Sequence, residues 1–128
     1  MTGITTESII ELEVAIGSRL PDDVRSMYGL SNGYKGPTDC QLLYRADADS
    51  GIVSMNRLKE EAWFPKQFPS LVLVGDNGCG SLIGFDWATG KAILWNPADG
   101  DMIQESRDSV TEIWDYVINL YETISRQD

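Results

Sequence analysis

The chain has 128 residues, twenty acids against ten bases, a formal net charge of −10 and no histidine. Surface scaling gives about 20,600 Å² exposed when unfolded and about 6,800 Å² when folded, so one core can form without disulfides or metals. The acidity disfavours nucleic-acid or anionic-membrane partners, and the missing histidine excludes Ser-His and Cys-His catalysis and His-ligated metals.

The charge is uneven. Residues 76–128 hold ten acids and three bases, a net of −7, while the preceding 75 residues contribute only −3. The segment 1–10 has neither the basic run nor the apolar stretch of a signal peptide. No apolar run approaches a membrane span. Two cysteines, Cys40 and Cys79, are too few for a disulfide framework and read as two thiols in a reducing cytoplasm.

In chain order, the first helix is expected to start after Thr5 or Thr6, with Glu7 in its first turn. Ile9, Leu12 and Ile16 form its buried stripe, and Gly17 ends it. Leu20-Pro21-Asp22-Asp23 opens a second helix with Pro21 at the first helical position, and Asn32-Gly33 supplies a left-handed stop. In the middle, Gln41–Arg45 and Ile52–Met55 are expected as short strands around an Asp47–Gly51 turn. Asn56–Trp63 is expected as a short helix ended by Pro65.

Leu71–Gly75, Ser81–Phe85, Ala92–Trp95 and Met102–Ser106 then read as four strands. The turns Asp76–Gly80, Asp86–Lys91 and Asn96–Asp101 separate them, giving an antiparallel meander. Ser109-Val110-Thr111-Glu112 matches a capping box. Val110, Ile113, Trp114, Val117, Ile118 and Tyr121 follow at helical spacing, with Trp114 in the core. The expected class is α+β: a meander sheet packed on one face by N-terminal helices and a C-terminal helix, all in a single domain, 1–128.

These residues carry a resemblance. Ile9…Leu12-Glu13…Ile16-Gly17…Leu20-Pro21-x-Asp23…Tyr28…Asn32-Gly33 resembles the opening signature of the SUKH superfamily. Leu73-Val74-Gly75-Asp76-Asn77-Gly78-Cys79-Gly80-Ser81-Leu82-Ile83-Gly84-Phe85-Asp86, then Gly90, Ile93, Trp95 and Trp114, resembles its second half. The superfamily joins fungal cell-wall synthesis regulators with bacterial toxin-immunity proteins, and its members are mostly non-enzymatic. The resemblance implies a binding protein. In the bacterial branch that means a cytoplasmic immunity protein neutralising a cognate polymorphic toxin, often a nuclease or deaminase. The alternative is an intracellular scaffold or regulatory interaction domain like the fungal members. The sequence lacks the long flanking regions of the fungal regulators, which favours the immunity branch.

Other motifs have plainer readings. Gly75-x-x-Gly78-x-Gly80 joins two strands, carries Asp76 and is followed by no lysine, so it is a turn rather than a phosphate cradle. Asp47-Ala48-Asp49-Ser50-Gly51 starts like a calcium loop, but the sixth and twelfth positions fail, leaving a solvated turn. Cys79 reads as a small tucked-in hydrophobe. No metal or cofactor is expected, and no catalytic residue is assigned.

Hairpin loops alternate between sheet ends, so Asp76–Gly80 and Asn96–Asp101 should share one end, with Asp86–Lys91 at the other. Asp76, Asn77, Asp99 and Asp101 are therefore candidates for contact with a basic protein partner, although acidic loops also serve solubility. Asp86 and Trp87 are candidates at the opposite end. Trp87 is a binding anchor if exposed and a cap on the core if not.

Overall fold

The computed structural model describes residues 3–47, 51–64, 68–99 and 102–126. Helix α1 (Thr6–Ile16) begins where Thr5 Oγ1 accepts the Ser8 N–H at 3.1 Å. It ends where Gly17, at φ 81°, gives its N–H to Glu13 and Val14 carbonyls. Ile9 and Leu12 are buried as expected, and Ile16 packs at their edge.

Helix α2 (Asp22–Leu30) differs in both caps. Pro21 is the N-cap, at ψ 153°, rather than the first helical residue. Either place suits a residue without an N–H, because the first amides of a helix have no intrahelical acceptor. The expected stop at Asn32-Gly33 lies beyond the actual one: Ser31 leaves the helix extended while its N–H still bonds Met27 O. Asn32 Oδ1 accepts the Ala46 N–H at 2.7 Å, and Gly33, at φ 106°, turns the chain into the next strand.

The middle departs most from expectation. Strands β1 (Tyr34–Lys35) and β2 (Gln41–Leu43) pair antiparallel around a 3₁₀ turn, Pro37–Asp39. The strand expected over Gln41–Arg45 is thus shorter. The strand expected over Ile52–Met55 is a helix, α3 (Ile52–Asn56), and the helix expected over Asn56–Trp63 is a 3₁₀ turn, Arg57–Glu60. Pro65, its expected terminator, lies outside the described residues.

The reason for the helix is a side-chain contact. Asn56 is buried, and its amide donates to Ile52 O and Leu73 O at 2.9 Å and accepts the Leu73 N–H at 2.9 Å. One turn of helix aims that amide at the sheet edge, where it replaces a neighbouring strand. Lys59 Nζ does the same for Leu71 O at 3.0 Å.

Strands β3 (Leu71–Asp76), β4 (Leu82–Asp86), β5 (Lys91–Asn96) and β6 (Met102–Arg107) form the expected antiparallel meander in the order β3-β4-β5-β6. A bulge between Leu73 and Gly75 lets Val74 O accept the Tyr44 N–H at 2.8 Å, joining β2 to the sheet edge. A side chain at Gly75 would lie 2.2 Å from Leu42 O, so only glycine permits that approach.

Both sheet faces are covered. Val72, Val74, Ile83, Phe85, Ala92 and Leu94 pack into the main core with α1, α2, β2 and α4 (Val110–Arg126). Leu71, Leu73, Ile93 and Trp95 point the other way and are covered by Phe64 and Phe68. The helices take one face as expected, but the other is a second small core. The unbroken run Leu71–Val74 reflects burial on both faces.

Ser109 caps α4, its Oγ accepting the Glu112 N–H at 3.2 Å. Asp23 reaches across to take the Thr111 N–H at 2.8 Å, fixing α2 to the start of α4. Trp114 is in the core: its indole N–H donates to Leu42 O at 2.5 Å, and its ring meets Tyr34 edge-on at 5.4 Å. No helix among the described residues is long and apolar enough to cross a membrane.

Candidate partner-binding site

The turn between β3 and β4 is built by its own side chains. Asp76 Oδ1 accepts the Gly78 N–H at 2.9 Å. Asn77 Oδ1 accepts the N–H groups of Cys79 and Ser81 at 2.9 and 3.1 Å. Such short polar side chains satisfy turn amides that no strand can reach. Gly78 and Gly80 take the positive φ values, 76° and 99°, that the turn requires.

One carbonyl of this turn takes two donors from the body of the protein. Asn77 O accepts the Tyr121 hydroxyl of α4 at 2.7 Å and the Cys40 thiol at 3.0 Å. Gly78, Cys79 and Gly80 stand exposed beyond it. Cys79 is not the tucked-in hydrophobe expected from sequence: it is exposed, and its sulfur lies 2.9 Å from a hydroxyl, that of Tyr121. Glycines on either side and a turn that leaves the sheet put it in solvent.

Asp76 has a buried neighbour. The Tyr44 hydroxyl makes no hydrogen bond of ordinary geometry among the described residues. Burial first, and the Asp76 carboxylate second, push that phenol well above its usual range. Asp76 therefore borders a phenol that stays neutral, and its charge is not cancelled there.

The β5–β6 loop leaves the same end of the sheet, since Asp76 pairs with Leu82, Leu82 with Trp95, and Asn96 with Met102. It opens with Asn96 Oδ1 accepting the Ala98 N–H at 2.9 Å and continues as a 3₁₀ turn, Pro97–Asp99. The Asp99 backbone is thus on the expected end; its side chain, and all of Asp101, lie outside the described residues.

The other two candidates occupy the opposite end. Asp86 is buried and shapes its own turn, accepting the Ala88 N–H at 2.9 Å on its side chain and the Gly90 N–H at 2.8 Å on its carbonyl. Trp87 is neither fully exposed nor fully buried. It is 41% exposed, yet its indole N–H donates to Arg19 O at 2.9 Å and its ring meets Phe85 edge-on at 4.8 Å.

Two shallow grooves flank Trp87. One of about 420 Å³ includes Arg19, Lys59 and Ser70. The other, of about 510 Å³, includes Asp22, Asp23 and Asp108. The named candidates therefore do not form one site but divide between the two ends of a sheet whose five- and six-residue strands span about 17–20 Å.

Sequence reasoning missed the groups that position the turn. Tyr121 was visible only as part of the α4 stripe, and Cys40 and Tyr44 sit in a segment without recognisable periodicity. Also unanticipated were Trp63 and Ile103, exposed at 51% and 45%. Ile103 pairs with Trp95, on the face of the second core. Among the described residues, no group of three or more acids and cysteines is arranged to hold a metal ion.

A meander with helices on one face and side-chain-built turns at both ends defines a small α+β domain of a recognisable kind. The sequence matches the family model for the SMI1 / KNR4 family (SUKH-1) over residues 3–117, and the chain belongs to that family. No curated protein and no solved structure matches it.

Proposed function

We propose that this chain is a non-enzymatic binding protein: a cytoplasmic immunity protein, acting as one domain, that neutralises a cognate toxin domain by direct contact. The observation that carries the reading is the β3–β4 turn, which sets Asp76 on a backbone anchored by Asn77 at the end of a rigid sheet. Loops held in this way are where rigid scaffolds place their contacts. The net of −7 in residues 76–128 supports the same reading. Toxins that attack nucleic acids carry basic clefts, toward which an acidic surface is steered. Inhibition is by occlusion, without turnover.

The test is co-expression with the toxin domain encoded beside the gene, followed by isolation of the complex. Association slows as salt rises. The triple change Asp76→Asn, Asp99→Asn, Asp101→Asn weakens binding and leaves the fold intact, because Asn keeps the size and the acceptor oxygen that the Asp76 turn uses. A triple variant that protects cells as well as the parent, with the same salt dependence, would refute the acidic-turn contact. Trp87→Ala, at the opposite sheet end, is then the variant expected to fail. If the neighbouring gene encodes no toxin and the chain instead retains other intracellular proteins, the scaffold role of the fungal branch replaces immunity.

A further inference from the structure

The chain's two cysteines are 39 positions apart in sequence, one in the segment before β2 and one in the β3–β4 turn. The fold brings them to the same spot. The Cys40 thiol donates to Asn77 O at 3.0 Å, the Tyr121 hydroxyl donates to the same oxygen at 2.7 Å, and the Cys79 sulfur lies 2.9 Å from that hydroxyl. The two sulfurs can therefore lie no farther apart than these three contacts laid end to end.

Their exposures are opposite. Cys40 is fully buried, and Cys79 is open to solvent. Gly78 and Gly80 flank Cys79 at positive φ, and a Cβ placed on Gly80 would meet no atom beyond its chain neighbours within 4 Å. Bridging requires the turn to swing Cys79 inward past the Tyr121 hydroxyl, and the two glycines are where the backbone can turn. An exposed thiol that meets the oxidant, beside a sheltered thiol that resolves it, is the arrangement of a reversible peroxide-sensitive pair.

We propose that Cys79 and Cys40 form an intramolecular disulfide when the protein meets a peroxide. Hydrogen peroxide takes the Cys79 thiol to the sulfenic acid and is itself reduced to water. The Cys40 sulfur then displaces hydroxide from the Cys79 sulfur, and the Cys40 proton leaves with it as a second water. A small-molecule thiol reverses the bridge by two exchange steps. The bridge locks the exposed turn to the segment before β2, so it also fixes the turn that carries Asp76. This inference concerns the chain's own chemistry and does not depend on the proposed immunity role.

The experiment treats the folded full-length chain with a small excess of hydrogen peroxide at neutral pH, followed by intact-mass analysis and peptide mapping without reduction. The expected product is a monomer lighter by two hydrogens, with one peptide pair joined through Cys40 and Cys79, that melts at a higher temperature and returns to the starting mass with dithiothreitol. Cys40→Ser should stop at the first step and give a dimedone adduct at Cys79. Cys79→Ser should leave Cys40 unmodified over the same time. A chain that dimerises through Cys79, that goes directly to Cys79 sulfinic acid, or that keeps both thiols would overturn the proposal. If Cys40→Ser fails to fold, peptide mapping of the parent decides the question alone.

Discussion

Asn56 is the residue through which the irregular middle of the chain closes the sheet, and replacing it gives the sharpest test of this fold. In Asn56→Leu the Leu73 N–H and C=O lose their 2.9 Å partners and stay buried. Each unpaired backbone group costs about 1–3 kcal/mol, so the pair costs about 2–6 kcal/mol. Burying the leucine recovers about 1.5–3 kcal/mol, leaving a net loss of about 2 kcal/mol at the middle of these ranges. Against a total stability of roughly 5–15 kcal/mol for a domain of this size, the variant still folds. Urea unfolding followed by tryptophan fluorescence reads the loss, and the melting temperature falls by about 3–5 °C per kcal/mol.

Asn56→Asp sharpens the test. It keeps the acceptor for Leu73 N–H but turns a carboxylate toward the carbonyls of Leu73 and Ile52. Burial and those carbonyls raise its folded pKa above the unfolded value, so stability falls as pH rises past the unfolded value and recovers in mild acid. A loss below about 1 kcal/mol in Asn56→Leu, or no acid recovery in Asn56→Asp, would refute the claim that this side chain stands in for a strand.

Further outcomes are expected. Trp114→Phe and Trp95→Phe remove the same atoms from buried sites, but of the two only the Trp114 indole has a hydrogen-bond partner among the described residues, Leu42 O; Trp114→Phe should cost about 1–3 kcal/mol more in chemical denaturation, and equal costs would mean that this bond contributes nothing. Gly75→Ala sets a Cβ against Leu42 O and should lose about 1–3 kcal/mol, as overpacked sites do, with hydrogen exchange accelerating in β2; an unperturbed β2 would show that the strands separate freely there. The Asp47 carboxyl is held below its usual range, first by the Asn32 amide and then by Arg45. Its folded pKa is depressed, so the stabilisation it brings is present above the unfolded value and is lost as pH falls through the folded one; Asn32→Ala should move its NMR titration midpoint up, and an unmoved midpoint would assign the effect to Arg45 alone.

What was legible in the sequence follows from how local the determining forces are. The α1 caps at Thr5 and Gly17, the first two meander turns and the Ser109–Glu112 capping box are all set by residues within four positions of one another, and they were read correctly. The segment Ile52–Glu60 was not. Its β-branched start suggests a strand, but Asn56 and Lys59 bond β3 residues 17 and 12 positions away. No local pattern encodes those contacts, and tertiary packing overrides propensity there. The candidate residues were read as turn residues, whereas Asp76 and Asp86 are the last residues of β3 and β4; their division between two sheet ends follows from strand alternation. The anchoring of Asn77 by Cys40 and Tyr121 spans 37 and 44 positions and left no sequence signal.

The two ends also differ in how much of their charge remains available. At the Trp87 end, Asp23 is consumed by the N–H groups of Val24 and Thr111, Asp108 pairs with Lys91, Asp22 lies 3.5 Å from Arg19, and Asp86 is buried. Those carboxylates are already answered by donors of the same chain, so a partner's cation approaching them competes with existing contacts. At the other end Asp76 makes no ion pair among the described residues; its side chain accepts a turn amide, and its buried neighbour is a neutral phenol. A charge held in place but not neutralised acts more strongly on an approaching cation than one already paired, and holding it through the backbone of Asn77 means that contact need not order the turn again. That difference selects the Asp76 turn, rather than the more conspicuous tryptophan, as the first place to look for a basic partner.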